Sequence, residues 1–326
     1  MTDLSDHSFT FDPRYGFDEA ELRKASSPFD EPDDFENFWK GAYTKAMEVP
    51  LDLRTNELIS PVDGQKLFRV DYTVWPNYRV GGWLYLPEKI QDLKLGMVVG
   101  HGYGGREGPD TSLCRNDRAV LLPVAPGFDP SQDPRLPQND SSKHVLYGIE
   151  SKETYLLLSC VAALWRAIDV LIGISKGKLD DFHYVGGSFG GGLGGLMLPW
   201  EKRYRSAELR QVTFAFHHFR LRHECNGSGK SVRERWLQDP AIEEILRYYD
   251  AATHLQKVEI PIHFECAVFD PSVPPPGQWA AANAHMGPKQ IFAAPHGHLN
   301  YEEEENFRQG DANQQMRKDL FGSRIV

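Results

Sequence analysis

The chain of 326 residues carries a formal charge of −10 and is 40 % hydrophobic and 12 % aromatic. That apolar content is enough for a substantial core, while the acidic balance argues against nucleic acid or an anionic membrane as partner and suits a neutral small substrate. No stretch approaches the roughly 20 apolar residues of a membrane helix, and residues 1–7 lack the basic and apolar regions of a signal peptide, so the chain is expected in the cytoplasm.

In chain order, residues 1–30 are polar and read as an irregular arm, and residues 31–326 as a single domain. Glu31-Pro32-Asp33-Asp34 resembles a helix start, with acids near the positive end of the dipole. Phe35, Phe38, Trp39, Ala42 and Ala46 then recur at helical spacing and predict an amphipathic helix. Residues 67–74 and 80–86 are two β-rich runs, and Pro76 and Asn77 between them mark the turn of an antiparallel hairpin. Residues 95–100 and 120–124 read as short buried strands. The stretch 126–142 is dense in Pro, Asp, Gly and Ser and predicts a long loop, of the kind that shapes substrate entrances. Residues 153–174 form a strong helical pattern.

A strand over Phe182-His183-Tyr184-Val185 then runs into Gly186-Gly187-Ser188-Phe189-Gly190 and a glycine-rich, helix-compatible stretch up to Leu198. Residues 211–216 read as the next strand, 233–255 as a helical excursion, and 260–269 as a strand. A helix around 279–285 and a strand over 289–294 follow. Strands alternating with helices predict an α/β fold with a mostly parallel sheet covered on both faces. Cys114, Cys160, Cys225 and Cys266 are scattered, without Cys-x-x-Cys or metal-ligand spacing, and read as free, mostly buried thiols. Neither a metal nor a cofactor is expected.

Gly-x-Ser-x-Gly between a strand and a helix is the nucleophile elbow of the α/β-hydrolase fold, in which a strained turn exposes the serine hydroxyl at the sheet edge. That makes Ser188 the candidate nucleophile. The hydroxyl needs a base, and the chain order of this fold is Ser, then Asp or Glu, then His, at successive strand ends. The strand ending at Phe269 delivers Asp270, although an aspartate before Pro271 also suits a simple turn. The last strand is followed by His296 and His298, of which His298 is preferred as general base and acid, with Asp270 orienting it. The oxyanion needs two backbone donors; the candidates are Phe189 N–H, directly after the serine, and Tyr103 N–H in the loop His101-Gly102-Tyr103-Gly104-Gly105. That glycine-rich loop could instead cradle phosphate, but neither Gly-x-x-x-x-Gly-Lys-Ser/Thr nor Gly-x-Gly-x-x-Gly is present. The other histidines, His217 and His218 among them, read as structural or pocket-lining.

From about Pro32 onward the sequence resembles the acetyl xylan esterase / cephalosporin C deacetylase family (carbohydrate esterase family seven). The likeness lies in Asp34-Phe35-Glu36-Asn37-Phe38-Trp39, Gly82-Trp83-Leu84-Tyr85-Leu86-Pro87, Gly102-Tyr103-Gly104-Gly105, Gly148-Ile149 with the Tyr155 helix, Gly186-Gly187-Ser188, Phe269-Asp270 with Pro274-Pro275, and Gly287-Pro288-Lys289. The resemblance implies a serine hydrolase that removes acetyl groups from small acetylated sugars, xylo-oligosaccharides and cephalosporin C. It also implies a homo-oligomer, a ring-shaped hexamer with active sites facing an internal cavity. It assigns the triad to Ser188, Asp270 and His298 and the oxyanion donors to Tyr103 and Phe189. Three positions depart from the family pattern. Pro126-Gly127-Phe128 stands where the family has Arg-Gly-Gln, Phe189 where it has Gln, and Leu299 where a Glu follows the histidine. A phenyl group next to the nucleophile is expected to narrow or dry the acyl pocket. Two alternatives stay open: a peptidase or acyltransferase using the same triad, and a catalytically silent α/β-hydrolase acting as a binding protein.

Overall fold

An antiparallel ribbon opens the fold and a parallel sheet continues it. In this computed structural model, which describes residues 7–28 and 31–325, the ribbon comprises β1 (Arg54–Leu58), β2 (Gln65–Val74) and β3 (Tyr78–Pro87). β4 (Leu95–Val99), β5 (Arg118–Pro123), β6 (Phe182–Gly187), β7 (Tyr204–Arg210), β8 (Ile262–Ala267) and β9 (Lys289–Ala294) complete a nine-stranded sheet in the order β1-β2-β3-β5-β4-β6-β7-β8-β9. The pairs β1–β2, β2–β3 and β3–β5 are antiparallel. Every pairing from β5 across to β9 is parallel. β4, β5 and β8 are buried at every residue, as parallel strands covered on both faces must be.

The helices are α1 (Glu19–Leu22), α2 (Phe35–Glu48), α3 (Ser141–His144), α4 (Leu156–Ile174), α5 (Phe189–Met197), α6 (His217–Arg222), α7 (Gly227–Gln238), α8 (Ile242–Arg247), α9 (Ala251–Leu255), α10 (Pro275–Ala284), α11 (Tyr301–Gln309) and α12 (Asp311–Phe321). The larger core joins α2, α4, α5, α9 and α10 to one face of the sheet around Trp39, Trp165 and Trp279. The smaller core on the other face packs Leu95, Met97, Val99 and Val120 against Phe321 and Ile325 at the chain's end.

Several sequence expectations need correction. Within the arm, α1 is a regular turn with a capping box between Asp18 and Glu21; residues 1–6 and 29–30 of that arm lie outside the described residues. β1 was missed because all five of its residues are exposed, leaving no apolar alternation to read. The strand expected over 211–216 is a buried loop, and the strand lies one step earlier, in β7. The helical excursion over 233–255 is present as the end of α7 followed by α8 and α9. The expectation that no stretch is apolar enough for a membrane helix is also overturned. The 19 residues of α4 meet that test by length and composition, yet here most of the helix is buried inside the protein. Cys160, Cys225 and Cys266 are buried, Cys114 is half-buried, and all four are free thiols.

Candidate active site

Ser188 stands between β6 and α5 with φ 52° and ψ −113°, a strained backbone that a serine adopts only where its surroundings enforce it. Its N–H donates to the Arg210 carbonyl at 2.9 Å, which ties the elbow to the end of β7. Two of the flanking glycines are there for space. A Cβ on Gly186 would sit 2.5 Å from the Gly190 carbonyl oxygen, and one on Gly190 would sit 2.9 Å from the Gly100 carbonyl carbon. Only glycine lets strand, helix and the loop after β4 approach so closely.

His298 follows β9 with φ 55°. Its Nε2 lies 2.9 Å from Ser188 Oγ, and its Nδ1 lies 2.8 Å from Asp270 Oδ2. The tautomer that satisfies both partners donates from Nδ1 and accepts the serine hydroxyl at Nε2. Asp270, just beyond β8, is fully buried. Its Oδ1 accepts the N–H groups of Ser272 at 2.8 Å and Val273 at 2.9 Å. Its Oδ2 accepts the Gln278 side-chain amide at 2.9 Å in addition to His298. Burial alone would lower the His298 pKa, but the charge and hydrogen bond of Asp270, with Glu304 nearby, prevail and raise it above 6.5.

His296 faces elsewhere. It is 2 % exposed, donates from Nε2 to Glu303 at 2.9 Å, and packs its ring edge-on to Phe307. His217 is buried, with its N–H on Asp250, whereas His218 pairs with Glu243 at the surface. Neither approaches Ser188 in the way His298 does.

Tyr103 lines the cleft above the serine, and Phe189 is the first residue of α5. Their rings stack at 4.1 Å between centroids. The Phe189 ring, though, is fully buried and contributes nothing to the cleft wall. It packs among Tyr103, His101, His144 and Phe214 instead, so the expectation that this phenyl narrows the acyl pocket does not hold. Apolar packing beneath the elbow draws the ring inward.

Sequence reasoning missed two contributors and gave a third, His101, only as structural or pocket-lining. His101 donates from Nδ1 to the Gly102 carbonyl at 2.7 Å and accepts the Ala125 N–H at Nε2, 3.0 Å away. Burial pushes its pKa down to about 4, so a neutral imidazole pins the 102–105 loop to the end of β5. Gln278 of α10 holds Asp270, and nothing local in its sequence announces that role. α11 supplies Tyr301, Glu304 and Arg308 to the cleft; its run of four glutamates reads as a solvated surface helix. The cleft around Ser188 and His298 has a volume of about 630 Å³, enough for a small ligand. Among the described residues no three His, Cys, Asp or Glu side chains converge as a metal site.

Comparison with known proteins adds a family to this geometry. Residues 17–317 match the acetyl xylan esterase (AXE1) family. Acetyl esterase Axe7A of Xylanibacter ruminicola is 19 % identical over 274 residues, 81 % of this chain; the chain spans only 62 % of that relative's length. An acetyl xylan esterase from Paenibacillus sp. R4 superposes with a TM-score of 0.82 at 19 % identity, over 93 % of this chain and 100 % of that one. Acetyl xylan esterase 1 from Thermoanaerobacterium sp. JW/SL YS485 does so with a TM-score of 0.80 at 18 % identity, over 94 % of this chain and 99 % of that one. These likenesses establish the α/β-hydrolase fold.

Proposed function

The chain belongs to the acetyl xylan esterase family, and from that premise we propose that it is a serine esterase removing acetyl groups from small acetylated carbohydrates, of the xylo-oligosaccharide or cephalosporin C type. The observation that carries the reading is the hydrogen-bonded chain from Ser188 Oγ through His298 to the buried Asp270, opening on a cleft of about 630 Å³.

In this reading Ser188 Oγ attacks the acetyl carbonyl carbon while His298 Nε2 takes its proton, and Asp270 stabilises the imidazolium that forms. The tetrahedral oxyanion is received by the Tyr103 and Phe189 N–H groups, each such donor being worth roughly 10²–10³-fold in rate. Collapse breaks the bond to the alcohol oxygen, which leaves with the proton from His298. Water, deprotonated by His298, then attacks the acetyl-serine and releases acetate, restoring the hydroxyl of Ser188. No step needs a cofactor.

The first test is hydrolysis of p-nitrophenyl esters from acetate to octanoate, with Ser188→Ala alongside. Activity confined to acetate and lost in the variant supports the reading; folded protein inactive at every chain length refutes it. The assembly proposed with this reading is a homo-oligomer of six subunits, which light scattering tests. A cytoplasmic location is part of the same proposal and is tested by cell fractionation.

A further inference from the structure

Three arginines line the cleft beside Ser188 in a chain whose total charge is −10. Arg106, Arg210 and Arg308 line it against two carboxylates, Asp110 and Glu304. Which charge is left over depends on what each group already engages. Glu304 accepts the Leu299 N–H at 3.1 Å and the Gln211 side-chain amide at 3.3 Å, and lies 4.0 Å from His296 Nδ1. Arg308 is tied to Glu305 at 2.7 Å and Glu265 at 3.3 Å. Arg210 lies 3.2 Å from Glu208, a carboxylate that Arg317 also approaches, at 3.4 Å. Asp110 is exposed at the rim, where it accepts the Ser112 N–H at 2.8 Å.

Arg106 differs from all of these. Among the described residues its one hydrogen bond runs from Nη2 to the Val99 carbonyl at 3.0 Å, and its buried Nε has no partner. It forms no ion pair with any described residue. Burial holds its guanidinium below the usual arginine range, with Asp110 only partly opposing, yet an arginine stays charged throughout. A half-buried cation held by no ion pair is costly, and this one borders the space the substrate must fill.

We propose that the preferred acetyl ester carries a carboxylate on its alcohol portion, and that Arg106 binds that carboxylate. Arg210 and Arg308 already face carboxylates, so Arg106 is the lining cation left to meet an acidic group on a ligand. A guanidinium fork also matches a carboxylate two bonds at a time. On the same rim Tyr301 is 78 % exposed, a flat face suited to the ring of a sugar acid. The whole-chain charge had pointed to a neutral substrate, but the charge lining the cleft governs recognition. The inference rests on the esterase reading and narrows its substrate class to acetylated hydroxy acids such as uronic acids.

The test compares kcat/KM for 4-acetoxybenzoate and 4-acetoxybenzamide, with p-nitrophenyl acetate as reference. The acid should be preferred by roughly tenfold or more, the worth of one charge-assisted contact, and the preference should shrink at high salt. In Arg106→Met the ratio should fall to about one, mainly through KM; Arg106→Lys should keep part of it. If Arg106→Met does not fold, the wild-type ratio and its salt dependence decide. Equal rates on the pair, or a preference that survives Arg106→Met, overturn the inference while turnover of p-nitrophenyl acetate leaves the esterase reading standing. No turnover of any of the three acetates sinks both.

Discussion

The N–H of Asp270 donates to the carbonyl oxygen of Pro13 at 3.1 Å, so the N-terminal arm holds the acid of the proposed triad from behind. The His7 and Phe9 rings pack on Phe269, and the Arg14 guanidinium lies 5.7 Å from the same ring. Tyr15 Oη donates to the Glu224 carbonyl at 2.8 Å. Deleting residues 1–16 would strip this support from the Asp270 loop. The expected result is a kcat lowered about tenfold and a melting temperature lower by roughly 2–4 °C per kcal/mol lost. Unchanged kinetics in the truncated protein would show that the loop holds itself.

Ser188→Ala should lower kcat by at least about 10³-fold with the melting temperature nearly unchanged. The hydroxyl's hydrogen bond is with His298, which can turn to solvent. A variant that keeps esterase activity would remove Ser188 from the chemistry.

The two neighbouring histidines should separate cleanly. His298→Ala should abolish turnover at modest cost in stability. His296→Ala should cost roughly 1–3 kcal/mol of stability, because it vacates a buried site and removes the hydrogen bond to Glu303, while retaining most of the activity. Turnover rates and denaturant midpoints of the two variants decide, and the reverse pattern would exchange the assignments.

Because His298 must be neutral to accept the serine proton and its pKa is raised above 6.5, kcat/KM should climb with pH through a limb lying above 6.5. Asp270→Asn removes the chief raising group, so the limb should move to lower pH while the rate falls by about 10⁴-fold. The same shift has a sign for folding. Protonated His298 stabilises the native state fully below the unfolded pKa, and that contribution fades as pH rises through the raised folded value.

Gly190→Ala introduces a Cβ 2.9 Å from the Gly100 carbonyl carbon. Neither backbone is free to retreat, so a loss of about 1–3 kcal/mol is expected, together with a fall in kcat as the 102–105 loop is pushed from the serine. Thermal melts and kinetics on the same sample measure both.

The juxtaposition of Ser188, His298 and Asp270 was legible because each follows a strand end, and strand ends carry local turn signals: glycines around Ser188, Pro271 after Asp270, Gly297 before His298. β7 was not legible because polar residues that are buried yet satisfied, Ser206 and Glu208, interrupt its apolar ones. Ser206 bonds His183, and Glu208 pairs with Arg210 and Arg317. The apolar run that follows, residues 211–216, looks like a strand but packs as a loop with positive φ at Gln211, Phe214 and Phe216. Arg106 and Glu304 were invisible for a related reason. Their roles depend on which partners the fold brings to them, and no spacing along the chain records that.

Asp270 is gripped by four donors, from Ser272, Val273, Gln278 and His298, which makes its carboxylate a fixed post. The proposed catalytic cycle asks the proton to travel from the serine to a departing alcohol and later from water back to the serine, positions that do not coincide. A post cannot follow it. The travel must be made by the imidazole pivoting on its Nδ1 bond, so the stiffness of the post sets how small that swing can be. Loosening Gln278 would therefore show first as lost timing between the two proton transfers, in the ratio of acylation to deacylation rates.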